Sequence, residues 1–105
     1  MKYFRNAAKE SHHAEAHRSL GACYHNGNGV KQNIDIAVRW YRLAADQGHM
    51  DGQYSLGQFY SGQYGGERNM KKAVVWYQKA AEQGHADALL NIAYCYMNGV
   101  GVELN

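Results

Sequence analysis

The chain repeats itself every 36 residues, and this period constrains its fold more than any other feature of the 105-residue sequence. A fixed period of a few tens of residues marks a stack of like supersecondary units, each of which buries its apolar face only against its neighbours. Two steps of 36 carry Leu20 to Leu56 to Ile92, Gly21 to Gly57 to Ala93, Tyr24 to Tyr60 to Tyr96, and Gly29 to Gly65 to Gly101. One step carries Trp40 and Tyr41 to Trp76 and Tyr77, Ala44 and Ala45 to Ala80 and Ala81, and Gln47, Gly48 and His49 to Gln83, Gly84 and His85. Within a unit the small and apolar residues fall at helical spacing. Ala16, Leu20 and Tyr24 lie four apart, and Ala37, Trp40, Tyr41, Ala44 and Ala45 form a stripe of period 3.6. Each unit therefore reads as two amphipathic helices. Helix A is predicted over 14–26, 50–62 and 86–98, and helix B over 34–47 and 70–83. The expected fold is all-α, an α-α superhelix.

Residue chemistry marks the boundaries. Asn33 and Asn69 stand where an N-cap is needed, and Gly48 and Gly84 stand where a helix ends on a left-handed residue. Gly21, Gly57 and the paired alanines let backbones approach closely, and Trp40, Trp76, Tyr24, Tyr60, Tyr41 and Tyr77 fill the space between hairpins. At the start, Tyr3 with Phe4 and Ala7 with Ala8 read as the tail of a helix B, and Asn105 falls at the cap position of a further B helix. The sequence thus divides into a half repeat over 1–12, repeats over 13–48 and 49–84, and a half repeat with helix A alone over 85–105. Neither end carries a polar capping element, so the last helix A, with Leu89, Leu90, Ile92, Ala93, Tyr96 and Met97, is expected to expose apolar surface. Three explanations stand side by side: a piece of a longer array, a head-to-tail homo-oligomer, or ends that fray.

Composition narrows the function classes. Eleven Lys and Arg against nine Asp and Glu give a net charge of +2, too small for a dominant nucleic-acid field. No apolar run approaches the length of a membrane span, and residues 1–13 hold no apolar segment of a signal peptide. The expected address is the cytosol if the chain is complete, and otherwise open. Cys23 and Cys95 occupy one helix A position two repeats apart, which predicts a separation of about 15–20 Å or more and no bridge between them.

The chain offers few groups arranged for catalysis. The four serines, Ser11, Ser19, Ser55 and Ser61, stand in no nucleophile motif, and the GNGVKQ segment at 27–32 is a repeat turn that follows a helix, where a phosphate loop follows a strand. His13 and His17 lie four apart on one helix face, a spacing that could grip a metal with Glu15 or an outside ligand. But His13 is the repeat equivalent of His49 and His85, so the repeat itself accounts for it. The reading is non-enzymatic, with no metal and no cofactor.

The segments LGACYHNGNGVKQNIDIAVRWYRLAADQGH and HADALLNIAYCYMNGVGVELN resemble Sel-one-like repeats, relatives of the tetratricopeptide repeats, over essentially the whole chain. The WYxxAAxQGH ending is the most specific part. Departures are Asn33 and Asn69 where the family usually has Asp, the loop SGQYGGERN without the regular G-x-G-V, and Ala93 in place of the helix A glycine. The resemblance implies a right-handed superhelix and an adaptor role, for instance in bacterial signalling or envelope regulation, host interaction or assembly of membrane-protein complexes. Some secreted members carry a disulfide in each repeat and are credited with β-lactam hydrolysis or penicillin binding; this chain lacks the second cysteine of every such pair.

Stacked hairpins curve, and the A helices line the concave face. By analogy with tetratricopeptide repeats, the positions facing that groove are Glu15, Arg18, Ala22 and His25, then Asp51, Tyr54, Gln58 and Ser61, then Asp87, Leu90, Tyr94 and Met97. Arg18, His25, Tyr54, Gln58, Leu90, Tyr94 and Met97 are the candidate contacts for a peptide or protein partner. Arg18 suits a carboxylate, the tyrosines offer rigid contact area, and Leu90 with Met97 offers an apolar patch. Arg39, Arg42, Lys71, Lys72 and Lys79 are expected to solvate the convex face.

Overall fold

A computed structural model describes residues 2–66 and 68–101, with side chains over 13–66 and 68–101. Five α-helices and no strand make up the described residues: α1 (Lys2–Asn26), α2 (Ile34–Asp46), α3 (Met50–Tyr60), α4 (Met70–Glu82) and α5 (Ala86–Asn98). Each packs on the next in chain order, and α1 also touches α3, so the helices form a flat stack of 49 × 36 × 17 Å. The all-α solenoid expected from the period is the fold the chain adopts.

The caps explain where the helices begin and end. Asn33 Oδ1 accepts from the Ile36 amide at 3.1 Å and Asn69 Oδ1 from the Lys72 amide at 3.2 Å. The A helices use histidine instead: Nδ1 of His49 accepts from the Gly52 amide at 3.2 Å and Nδ1 of His85 from the Ala88 amide at 3.1 Å. Each satisfies one of the amides a helix start leaves without a partner.

The first helix differs from expectation. A helix B tail, a turn and then a helix A were expected before residue 26, yet α1 runs unbroken from Lys2 to Asn26. The reason lies one residue before His13. α2 and α4 end ahead of Gly48 and Gly84, whose φ values of +85° and +95° suit glycine alone. The equivalent residue here is His12, which disfavours that conformation, so the helix continues. His13, inside α1, consequently caps nothing.

Close approach holds the stack together. A Cβ added to Gly21 would stand 2.7 Å from the Tyr41 ring, and one on Gly57 would stand 2.5 Å from the Tyr77 ring. The two tyrosines lie flat on these glycines and are almost fully buried, contributing about 1.5–3 kcal/mol each. Tyr60 packs on both apolar clusters, one built on Tyr41, Leu56 and Trp76 and the other on Ala73, Tyr77 and Ala88, which makes the core continuous. Trp40 and Tyr24, expected in the core, are half-buried, with Trp40 facing the His17 ring at 5.3 Å. A polar tie joins the repeats as well: Gln83 Nε2 donates to the Gly48 carbonyl and to Oε1 of buried Gln53, both at 2.8 Å.

Candidate functional site

The A-helix side is built from the last part of α1, from α3 and from α5. Between α1 and α3 the structure gathers His25 and Gln58 around Tyr64, which sequence reasoning passed over. Tyr64 donates to Gln58 Oε1 at 2.8 Å, its ring centroid is 4.1 Å from that of His25, and His25 Nδ1 lies 3.2 Å from the Tyr41 hydroxyl. Burial pushes the Tyr64 phenol far up, and Tyr41 nearby adds to the shift, so Tyr64 stays a neutral donor. Burial likewise raises Tyr41, against the pull of the Arg18 guanidinium. Arg18 is half-buried, and its Nε has no hydrogen-bond partner among the described residues.

Between α3 and α5 the arrangement changes. Tyr54 stacks on His85 at 4.2 Å and accepts from Asn91 Nδ2 at 3.3 Å, while Asp51 lies 3.5 Å from His85 Nε2. Tyr54 is thus engaged in holding α5. Leu90, Tyr94 and Met97 are the exposed members, at 68%, 60% and 81%. Tyr94 also lines a cavity of about 220 Å³ together with Ser61, Arg68, Met70, Asn91 and Cys95, and with Tyr77 beneath. This cavity combines a guanidinium, amide and hydroxyl groups and an apolar wall.

Tyr64, Arg68, His85 and Asn91 stand among the candidate groups on this side but are not in the set read from the sequence. For Tyr64 and Arg68 the signal was present: both fall in SGQYGGERN, the loop that departs from the repeat pattern.

The nucleophilic groups are quiet. Cys23 and Cys95 form no disulfide, and burial pushes the Cys95 thiol up, with a smaller opposing pull from Arg68, which keeps it protonated at neutral pH. His13 and His17 lie 6.2 Å apart by ring centroid, and no group of three His, Cys, Asp or Glu able to hold a metal occurs among the described residues. No helix among the described residues is long and apolar enough to cross a membrane.

Paired helices stacked on glycine–tyrosine contacts define an α-solenoid of short helical repeats. The Sel1 repeat family matches residues 14–49, 51–85 and 86–105, and the chain belongs to that family. It is similar to a Sel1 repeat protein from Oxalobacter formigenes, with 41% identity, a TM-score of 0.84, and coverage of 88% of this chain and 38% of that one. It is also similar to c5321, a protective antigen present in uropathogenic Escherichia coli strains that displays an SLR fold, with 44% identity, a TM-score of 0.83, and coverage of 88% and 20%. The chain therefore spans well under half of either relative. A comparison with curated proteins returned no match. Sel1 repeat proteins are in general protein-interaction scaffolds and generally non-catalytic.

Proposed function

We propose that this chain is a non-enzymatic scaffold that receives an extended peptide or protein loop on the concave face of its A helices. One observation carries the reading. Exposed Tyr94, on the same helix as exposed Leu90 and Met97, lines a cavity whose Arg68, Asn91 and Ser61 supply polar groups, the mixture of rigid aromatic anchor and convergent polar contacts that peptide recognition uses. His25, Gln58 and Tyr64 extend the polar part of this face towards α1, and Arg18 adds a cation there.

The test is selection of linear peptides from a random phage-displayed library, followed by fluorescence polarisation. Tyr94→Ala and Arg68→Gln should each weaken the selected peptides about tenfold, as expected for anchor residues. Peptides that bind both variants as well as the parent would refute this use of the face.

The α5 surface favours a second reading. Leu89, Leu90, Tyr94, Tyr96 and Met97 are all about half or more exposed on a helix whose one charged residue is Asp87, a surface suited to self-association. Light scattering over a wide concentration range then shows mass growth for the parent and none for Leu90→Glu with Met97→Glu. A parent that stays monomeric throughout rejects this reading and leaves the first intact.

A further inference from the structure

A second cavity, between α2 and α3, is lined by none of the candidate groove residues. It measures about 420 Å³, within the usual range of about 300–1,000 Å³ for ligand pockets. Val38, Arg39, Arg42 and Leu43 of α2 form its wall, and Leu56 and Tyr60 of α3 form its floor. Leu56 is fully buried and Leu43 is 48% exposed, so the recess runs from core to solvent along an apolar surface.

The repeat supplies an internal control. One period on, Val38, Arg39, Arg42 and Leu43 correspond to Val74, Val75, Gln78 and Lys79. The same fold thus stands with no arginine at two of these positions and with a lysine where this recess has an exposed leucine. Helix packing therefore requires neither the two guanidiniums nor the exposed leucine.

Charge defines the occupant. Arg42 uses Nε to bind the Asp46 carboxylate at 3.1 and 3.2 Å, and its guanidinium lies 5.2 Å from the Trp76 ring centroid, which holds it beside the recess. Lys79 and Lys72 stand 5.4 Å from the Trp76 and Tyr60 rings and add positive charge on the same side. Asp46 is the carboxylate that opposes them on α2.

We propose that this recess binds an acidic linear peptide, seating one leucine- or phenylalanine-sized side chain over Leu56 and Tyr60 while flanking carboxylates pair with Arg39 and Arg42. An apolar floor beside a wall that carries two arginines matches both halves of such a ligand. A flat anionic lipid surface would use the charge but leave the recess unfilled.

The probe is a fluorescein-labelled peptide with one phenylalanine flanked by glutamates, compared with its glutamine counterpart by polarisation. The glutamate peptide binds saturably, and binding falls about tenfold or more for the glutamine peptide, for Arg39→Gln with Arg42→Gln, and for Leu43→Gln, with helicity unchanged by circular dichroism. Absence of saturable binding overturns the proposal, as does equal binding by the arginine variant. So does capture of the chain by phosphatidylglycerol vesicles that the peptide fails to displace.

Discussion

A methyl group added to Gly57 would stand 2.5 Å from the ring of Tyr77, which is 2% exposed and has nowhere to swing. Alanine gains about 1 kcal/mol in helix propensity over glycine, but overpacking a buried ring costs about 1–3 kcal/mol and the ring contact fails with it. Gly57→Ala is therefore expected to lose about 1–2 kcal/mol in urea denaturation, and a stabilised variant would contradict the packing described. Ala93 occupies the same repeat position without penalty, because it is exposed on α5 with no described ring over it. The tyrosines themselves give a pH signature. Burial raises the phenols of Tyr41, Tyr64 and Tyr77 above 10.0, so above that pH the unfolded chain releases protons that the folded chain retains. Stability is intact below about pH 10 and falls as pH rises further, by up to about 1.4 kcal/mol per pH unit for each phenol. Tyr64→Phe should lessen that slope by one proton's worth, and an unchanged slope would mean that Tyr64 is solvated. At this scale the period made the glycines and the stacked tyrosines legible. It hid Tyr64, since a residue that breaks the pattern has no repeat partner to announce it.

Among elements, starts and stops were read well wherever a cap is local in sequence. Asn33, Asn69, Gly48 and Gly84 set the ends of α2 and α4 through their own side chains or backbone conformation. The unbroken α1 was not legible by the same logic, because His13 looks like His49 and His85 while the glycine that must precede it is missing. His85 does three things at once: it caps α5, stacks on Tyr54 and approaches Asp51. His85→Ala should cost about 1–2 kcal/mol, more than a cap alone, whereas His13→Ala in the interior of α1 should be close to neutral. Thermal denaturation of the two variants checks this, and equal losses would remove the distinction between capping and non-capping histidines.

At the scale of the whole molecule, the helices pack in chain order and different parts of the surface differ in chemistry. His25, Gln58 and Tyr64 form one cluster and Tyr94 stands exposed on α5, while Arg39, Arg42, Lys72 and Lys79 gather around Trp76 and Tyr60. The fold followed from the period. Of the groove positions read from the sequence, Tyr54 is spent on α5 by stacking, and the loop that breaks the repeat lines a cavity with Tyr94 through Ser61 and Arg68. The most direct test of the scaffold reading is amide chemical-shift mapping on the isotopically labelled chain, titrated with a peptide selected from the random library. On that reading, saturable shifts concentrated on α3, α5 and the loop holding Tyr64 and Arg68 are expected. Shifts confined to α2 and α4, or absent at saturating peptide, would contradict it.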